Sequence, residues 1–119
     1  SDVQSEHIYF RKVDLKAKKR PLVLSEFGGY SCKIAGHSFN LDQNYGYSTL
    51  TTTEMFSDAL ERLYFEEIVP CIQNGGLCAA VLTQVSDVED ETNGLLTYDR
   101  KVCKADPARM REIAAKLKI

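Results

Sequence analysis

The residues best placed to do chemistry lie in Pro21–Tyr30, PLVLSEFGGY. A short apolar run, Leu22-Val23-Leu24, reads as a buried strand that delivers one carboxylate, Glu26, to its C-terminal end. Gly28 and Gly29 follow at once and let the backbone turn away sharply. In parallel α/β folds the chemistry sits outside the carboxyl ends of the strands. Glu26 is therefore a candidate catalytic group; a surface glutamate in a strand-to-loop turn has the same local pattern. Upstream, Ser5–Arg11, SEHIYFR, alternates loosely and reads as a second strand. It puts His7 and Tyr9 on one face and Ile8 and Phe10 on the other. His7 is a candidate site residue or, as commonly, a hydrogen-bonded structural histidine.

Other chemistry-bearing groups point elsewhere. Cys32, Cys71, Cys78 and Cys103 form no CxxC pair, and Cys71 and Cys78 are too far apart for a zinc knuckle. Cys71 and Cys78 sit in apolar contexts and are expected to pack as small hydrophobes with free thiols. That usage fits a reducing, cytoplasmic compartment. The acidic run Gln84–Gly94, QVSDVEDETNG, invites a calcium reading. With Gly94 as the glycine of an EF-hand loop, however, the closing bidentate glutamate position falls on Arg100. No metal site is expected. Lys12–Arg20, KVDLKAKKR, is basic but has no glycine loop or interleaved aromatics, so it reads as a solvated connection.

Several elements must position these groups. Tyr30–Thr53 is polar, with Gly36, Asn40, Asp42, Asn44 and Gly46, and reads as a long loop. Loops of that length are commonly functional. Its aromatics Tyr30, Phe39, Tyr45 and Tyr47 would suit hydroxylated ligands such as sugars, or the loop's own packing. Thr51–Asn74 reads as a helix opened by a Thr51-x-x-Glu54 capping box. Its apolar stripe is Phe56, Leu60, Leu63, Tyr64, Ile68, Cys71 and Ile72. Pro70 is expected to kink or tighten the last turn, and Asn74-Gly75-Gly76 to end it. Leu77–Thr83, LCAAVLT, is continuously apolar and reads as a parallel strand buried on both faces. Leu95–Tyr98 reads as a short extended piece and Asp99-Arg100-Lys101 as a turn. A last helix is capped by Asp106 with Pro107 at its first position, and Met110, Ile113, Ala114 and Leu117 form its apolar face.

The chain has 119 residues and a formal net charge of -2, enough for one modest core and without the basic excess of a nucleic-acid binder. No apolar run approaches the roughly 18–20 residues of a membrane span, and no signal peptide is visible. The sequence starts at Ser1-Asp2-Val3 and reads as a segment of a longer protein. The fold class is α/β. Three parallel-type strands and two helices make a poor independent domain, so residues 1–119 are expected to be about the last three units of a (β/α)8 barrel. The open sheet would then associate edge to edge, as a homo-oligomer or with its missing neighbours.

PLVLSEFGG, followed some fifty residues on by a buried strand and SDVEDETNGLLTYDRK, resembles the end of the catalytic barrel of glycoside hydrolase family 2. That family includes β-galactosidases, β-glucuronidases and β-mannosidases. The resemblance covers nearly the whole chain and is carried above all by LSEFGG and NGLLTYDRK. It implies a retaining β-glycosidase with two carboxyl groups about 5–5.5 Å apart. It implies further that Glu26 is the nucleophile, that Tyr9 hydrogen-bonds it, and that His7 lines the sugar pocket. Asn93 and Asp99-Arg100-Lys101 fall in the motif after strand eight, with Arg100 holding that loop. The family's acid/base glutamate belongs to an Asn-Glu motif that this chain lacks. Its sugar-floor tryptophan also has no counterpart, the chain having no Trp; Thr83 or Gln84 stands near that place. No cofactor is implied, and the partner is a carbohydrate substrate. A non-catalytic carbohydrate- or protein-binding module using loop 30–53 is the alternative.

Overall fold

The structure, a computed structural model, describes residues 1–42 and 49–118. Among the described residues five strands are present: β1 (Gln4–Ile8), β2 (Leu22–Gly28), β3 (Ser31–Cys32), β4 (Thr49–Leu50) and β5 (Leu77–Thr83). Three helices follow the same order: α1 (Thr53–Leu63), α2 (Val69–Gly75), joined to α1 by a π-helical stretch over Tyr64–Ile68, and α3 (Pro107–Lys116). β1, β2 and β5 form one parallel sheet in the order β1-β2-β5, and β3 pairs with β4 in a second, two-stranded sheet. The protein is thus a mixed α/β chain built on a small parallel sheet, which does not close into a barrel among the described residues.

The helices cover one face of that sheet. Ile8, Leu22, Leu24, Phe27 and Leu77 point into a core with Leu63, Tyr64, Ile68, Cys71 and Ile113. Phe27 meets Tyr64 edge to face, with ring centroids 5.5 Å apart. The expected stripe of the long helix is therefore the buried one. Its start is displaced: Thr52, not Thr51, is the N-cap and accepts from Met55 N at 3.1 Å. Threonines at 51, 52 and 53 leave the cap register open in the sequence, and with Met55 at the third helical position no reciprocal capping box forms.

Pro70 does not tighten the helix; the turn ahead of it is widened. Val69 N donates to Tyr64 O, five residues back. Proline has no N–H to return to residue 66, and its ring would press on that carbonyl. Widening the turn relieves the clash and leaves Pro70 at the first turn of α2, where a missing N–H costs nothing. The helix ends at Gly76, whose N–H returns to Cys71 O.

Five further expectations are corrected. β1 stops at Ile8, short of Arg11, because Phe10 takes a positive φ of 60°; Phe10 is then 72% exposed instead of packing beside Ile8. The segment 30–53 is not all loop, since β3 and β4 pair within it. β5 has the expected bounds but not the expected burial on both faces. Cys78, Ala79, Ala80 and Val81 are exposed, because among the described residues β5 pairs with β2 alone and the helix layer leaves an apolar groove of about 170 Å³ beside it. Cys78 therefore does not pack as a buried hydrophobe, whereas Cys71 does. On α3, Asp106 caps as expected, accepting from Ala108 N and Arg109 N, but Ala114 is exposed and Ile113 alone is fully buried.

The segment after β5 is held by a cation no sequence feature singled out. Lys104 is fully buried, and its Nζ donates to Asp87 Oδ1 at 2.7 Å and to the carbonyls of Cys32 and Thr92, each at 2.9 Å. It also lies 5.5 Å from the Phe56 ring centroid. Asp87 Oδ1 accepts from Gly94 N as well, at 2.9 Å. A side chain at Gly94 would strike the backbone of Ser86 and Asp87, at 2.2 and 2.3 Å. Arg100, expected to hold this loop, is instead exposed at a residue of positive φ. α3 is clamped to α1 by Arg109, which pairs with Asp58 and Glu61.

Two outcomes follow from this packing. Lys104→Met leaves Asp87 buried without its cation and is expected to cost about 3–5 kcal/mol in urea unfolding. Burial pushes the Tyr64 phenol up to about 12. The unfolded phenol ionises near pH 10 while the folded one stays neutral, so stability present below pH 10 is lost as pH rises towards 12, by about 2 kcal/mol. Tyr64→Phe is expected to flatten that alkaline limb in unfolding measured from pH 8 to 12.

Candidate active site

The site starts from an irregularity in β2. Leu24 pairs with Glu6 and Glu26 with His7, so two steps along β2 match one step along β1. On the other side, Leu24 pairs with Ala80 and Phe27 with Leu82, three steps against two. Both flanks thus place one extra residue between Leu24 and Phe27. This is a β-bulge, a device that re-aims side chains. Strict alternation would carry the row Leu22, Leu24 on to Glu26. The bulge passes that row to Phe27, which is fully buried, and leaves Glu26 with Val23 on the face away from the helices.

There Glu26 meets Tyr9 and His7. Tyr9 OH donates to Glu26 Oε2 at 3.0 Å. His7 Nδ1 stands 3.7 Å from the same oxygen, and the His7 and Glu26 side chains are each about half exposed, at 57% and 46%. Tyr9 reaches Glu26 from just beyond the end of β1, not from within the strand. Gly28 ends β2 with φ at 99°, and a Cβ there would lie 2.7 Å from Leu82 Cδ1. Glycine is what lets the chain leave the strand against β5 immediately after the carboxylate. The arrangement holds one accessible carboxylate, oriented by a phenol, at the C-terminal end of parallel strands. Such a group can accept a proton, bind a hydroxyl or attack an electrophilic carbon.

Thr83 and Gln84 stand at the same sheet end, Thr83 opposite Gly28. The peptide between them is cis. The Gln84 amide is engaged with the closing loop, its Nε2 lying 3.3 Å from Glu91 Oε2 and 3.2 Å from Asn93 Oδ1. Asn93 Nδ2 in turn donates to Thr83 O at 3.3 Å. The structure therefore brings His7, Tyr9 and Glu26 into one cluster and sets Thr83 and Gln84 in a neighbouring one. A cleft of about 570 Å³ opens beside the first cluster, lined among others by Tyr9, Phe10, Gly29, Tyr30 and Glu67. Tyr9 is common to cleft and cluster; Glu26 is not among the lining residues. Burial, with Glu67 adding to it, pushes the Tyr30 phenol up.

The polar loops at this end are clasped together. His37 Nδ1 and Asp99 Oδ2 are 2.7 Å apart, and Phe39 packs edge-on against Tyr98 with centroids at 5.2 Å. Hydrogen bonds from Thr97, His37 and the Lys101 backbone hold the Asp99 carboxyl well below the usual carboxylate range. Tyr45 and Tyr47, the other aromatics singled out in loop 30–53, lie outside the described residues. Among the described residues no group of three or more His, Cys, Asp or Glu is placed to hold a metal ion, and no helix is long and apolar enough to cross a membrane.

Sequence reasoning missed the bulge, although its signal was present: Leu22, Leu24 and Phe27 break a period of two. It missed Lys104 because a lysine beside Cys103 and Ala105 carries no mark of burial. Comparison with models of known families gives no match, and comparison with curated proteins gives none.

The lowered Asp99 carboxyl gives these clasped loops a pH dependence. A folded carboxyl held below its unfolded value contributes stability above about pH 4 that is lost as pH falls through the folded value. Asp99→Asn is expected to flatten the acid limb of unfolding below about pH 4 and to speed amide exchange at Lys101, whose N–H Asp99 accepts at 3.1 Å.

Proposed function

We propose that this chain carries the nucleophile side of a retaining β-glycosidase site, on about the last three units of a (β/α)8 barrel. The observation that supports this reading most is the meeting of Tyr9 and His7 on Glu26 Oε2 at the C-terminal end of the parallel sheet. In a retaining mechanism a carboxylate attacks the anomeric carbon while a second carboxyl protonates the departing oxygen; water, deprotonated by that second group, then releases the sugar. Glu26 is the attacking group. Its Oε–carbon bond forms as the glycosidic bond breaks, and water later takes its place. Tyr9 holds the carboxylate at its attack position, and the phenol's donated hydrogen bond steadies the negative charge before attack. His7 is beside the same oxygen and, with Thr83 and Gln84 at the next strand end, lines the sugar. The acid/base carboxyl comes from a barrel segment outside this chain, which is why the chain alone is inactive. The mechanism needs no metal or organic cofactor.

The exposed side of β5 fits the same reading, since further strands of a barrel, or a second copy, would pair there. The exposed thiols of Cys78 and Cys103 suit a reducing, cytoplasmic setting.

The test uses a complete enzyme carrying this chain. Incubation with activated 2-deoxy-2-fluoro glycosides of galactose, glucose, mannose and glucuronic acid is expected to leave a sugar adduct on the peptide containing Glu26. Glu26→Gln is expected to lower turnover by orders of magnitude without loss of fold. An adduct on another carboxylate removes Glu26 from the role, and hydrolysis by the purified 119-residue chain removes the need for an outside acid/base.

A further inference from the structure

The bulge that exposes Glu26 has a side chain of its own. Ser25 Oγ donates to Glu6 O at 3.2 Å and is hydrogen-bonded to Ser5 Oγ at 2.6 Å. We propose that Ser25 is a positioning residue, whose hydroxyl pins the bulge and thereby keeps the Glu26 carboxylate beside Tyr9. The inference rests on Glu26 being the working carboxylate of the proposed glycosidase, while the geometry it concerns stands on its own.

Burial alone does not settle where the extra residue sits. The core requires an apolar side chain after Leu24 in the helix-facing row, and Phe27, fully buried against Tyr64, satisfies it. That requirement is met whether the surplus between Leu24 and Phe27 is absorbed at Ser25 or at Glu26. The two choices aim Glu26 differently. Absorbed at Glu26, the bulge would leave that residue unpaired. Absorbed at Ser25, it leaves Glu26 paired with His7, as observed. Glu6 is the last residue of β1 before the register break, where ladder bonding is interrupted. A hydroxyl on the bulged residue reaches its carbonyl, and Ser5, next to Glu6 on β1, is hydrogen-bonded to that hydroxyl as a brace. Serine suits the place because its side chain is short enough to bond locally to backbone. Alanine would fill the same space and bond to nothing.

The experiment reads the geometry first and the chemistry second. In the complete enzyme with isotopically labelled Tyr and Glu, the nuclear Overhauser contact between the Tyr9 ring and the Glu26 methylenes is compared in wild type, Ser25→Ala, Ser25→Thr and Ser5→Ala. The contact is expected to be lost in Ser25→Ala, weakened in Ser5→Ala and retained in Ser25→Thr, which keeps the hydroxyl. Wild-type contacts in both alanine variants overturn the proposal. If Ser25→Ala does not fold, Ser5→Ala decides, since it removes only the exposed brace. In the complete enzyme, Ser25→Ala is expected to slow fluoroglycoside labelling about 100-fold, the cost of a misplaced reacting group, with Ser25→Thr restoring it. Labelling at the wild-type rate in Ser25→Ala overturns the positioning role and leaves the glycosidase reading intact. Loss of the contact in a protein that no glycoside labels supports the positioning role and removes the glycosidase reading.

Discussion

One residue too many between Leu24 and Phe27 sets the character of this protein. Phe27 must enter the core, and Glu26 must not. A regular strand cannot satisfy both, because its faces alternate with a period of two and Leu24 already fixes the phase. The bulge resolves the conflict by spending a residue. It gives the helix-facing row an unbroken apolar series and places the carboxylate on the opposite face, level with His7 and within reach of Tyr9. The same displacement therefore completes the core and opens the site, so packing and chemistry rest on one local event.

The loops around the site depend on a second, more costly device. Lys104 and Asp87 are both removed from water, and their attraction has to offset that loss with the help of further bonds, which reach the Lys104 ammonium and Asp87 Oδ1 but leave Asp87 Oδ2 buried without a partner. Lys104 spends its remaining donors on the carbonyls of Cys32 and Thr92, and Asp87 accepts from Gly94. These partners come from β3, from the segment after β5 and from the stretch leading to α3. A single ammonium group thus ties three parts of the chain that the sheet leaves unconnected. The hydrogen bond between Ser31 and Thr92 runs beside it and joins two of the same parts. These bonds hold the polar closing segment in place where it has little regular secondary structure.

Stability is unevenly shared between the two sides of the sheet. On the helix side, the apolar stripe of α1, the π-helical stretch and α2 matches Ile8, Leu22, Leu24 and Phe27. On the other side, Val81 is 55% exposed and Glu26 stands in the open. A parallel strand as apolar as β5 ordinarily has both faces covered. The exposed face carries the candidate chemistry, and the covered face carries the core that holds it in place.

Much of this was legible in the residues. The helix stripe, the N-cap of α3 at Asp106, the bounds of β5 and the placing of Glu26 at a strand end followed from period, cap chemistry and glycine punctuation, which act over a few neighbouring positions. The Thr51 cap and the C-terminal end of β1 were misjudged by one and three residues, and Pro70 disturbs its turn by widening and not by tightening it, because the competing local choices differ little in energy until packing decides. The two-sided burial of β5 was misjudged because apolar composition records what a strand can tolerate, not what stands beside it. The bulge, the Tyr9–Glu26 bond and the Lys104–Asp87 pair join residues 17 apart in the chain or shift the register between strands. The sequence alone determined the three strands of the parallel sheet, the helical segments on either side of β5 and which carboxylate stands near a strand end, since those depend on short-range pattern; β3 and β4, two residues each, left no such pattern. Only the tertiary structure decided which way that carboxylate points and which lysine is buried, since both are settled by the fit of distant segments against one another.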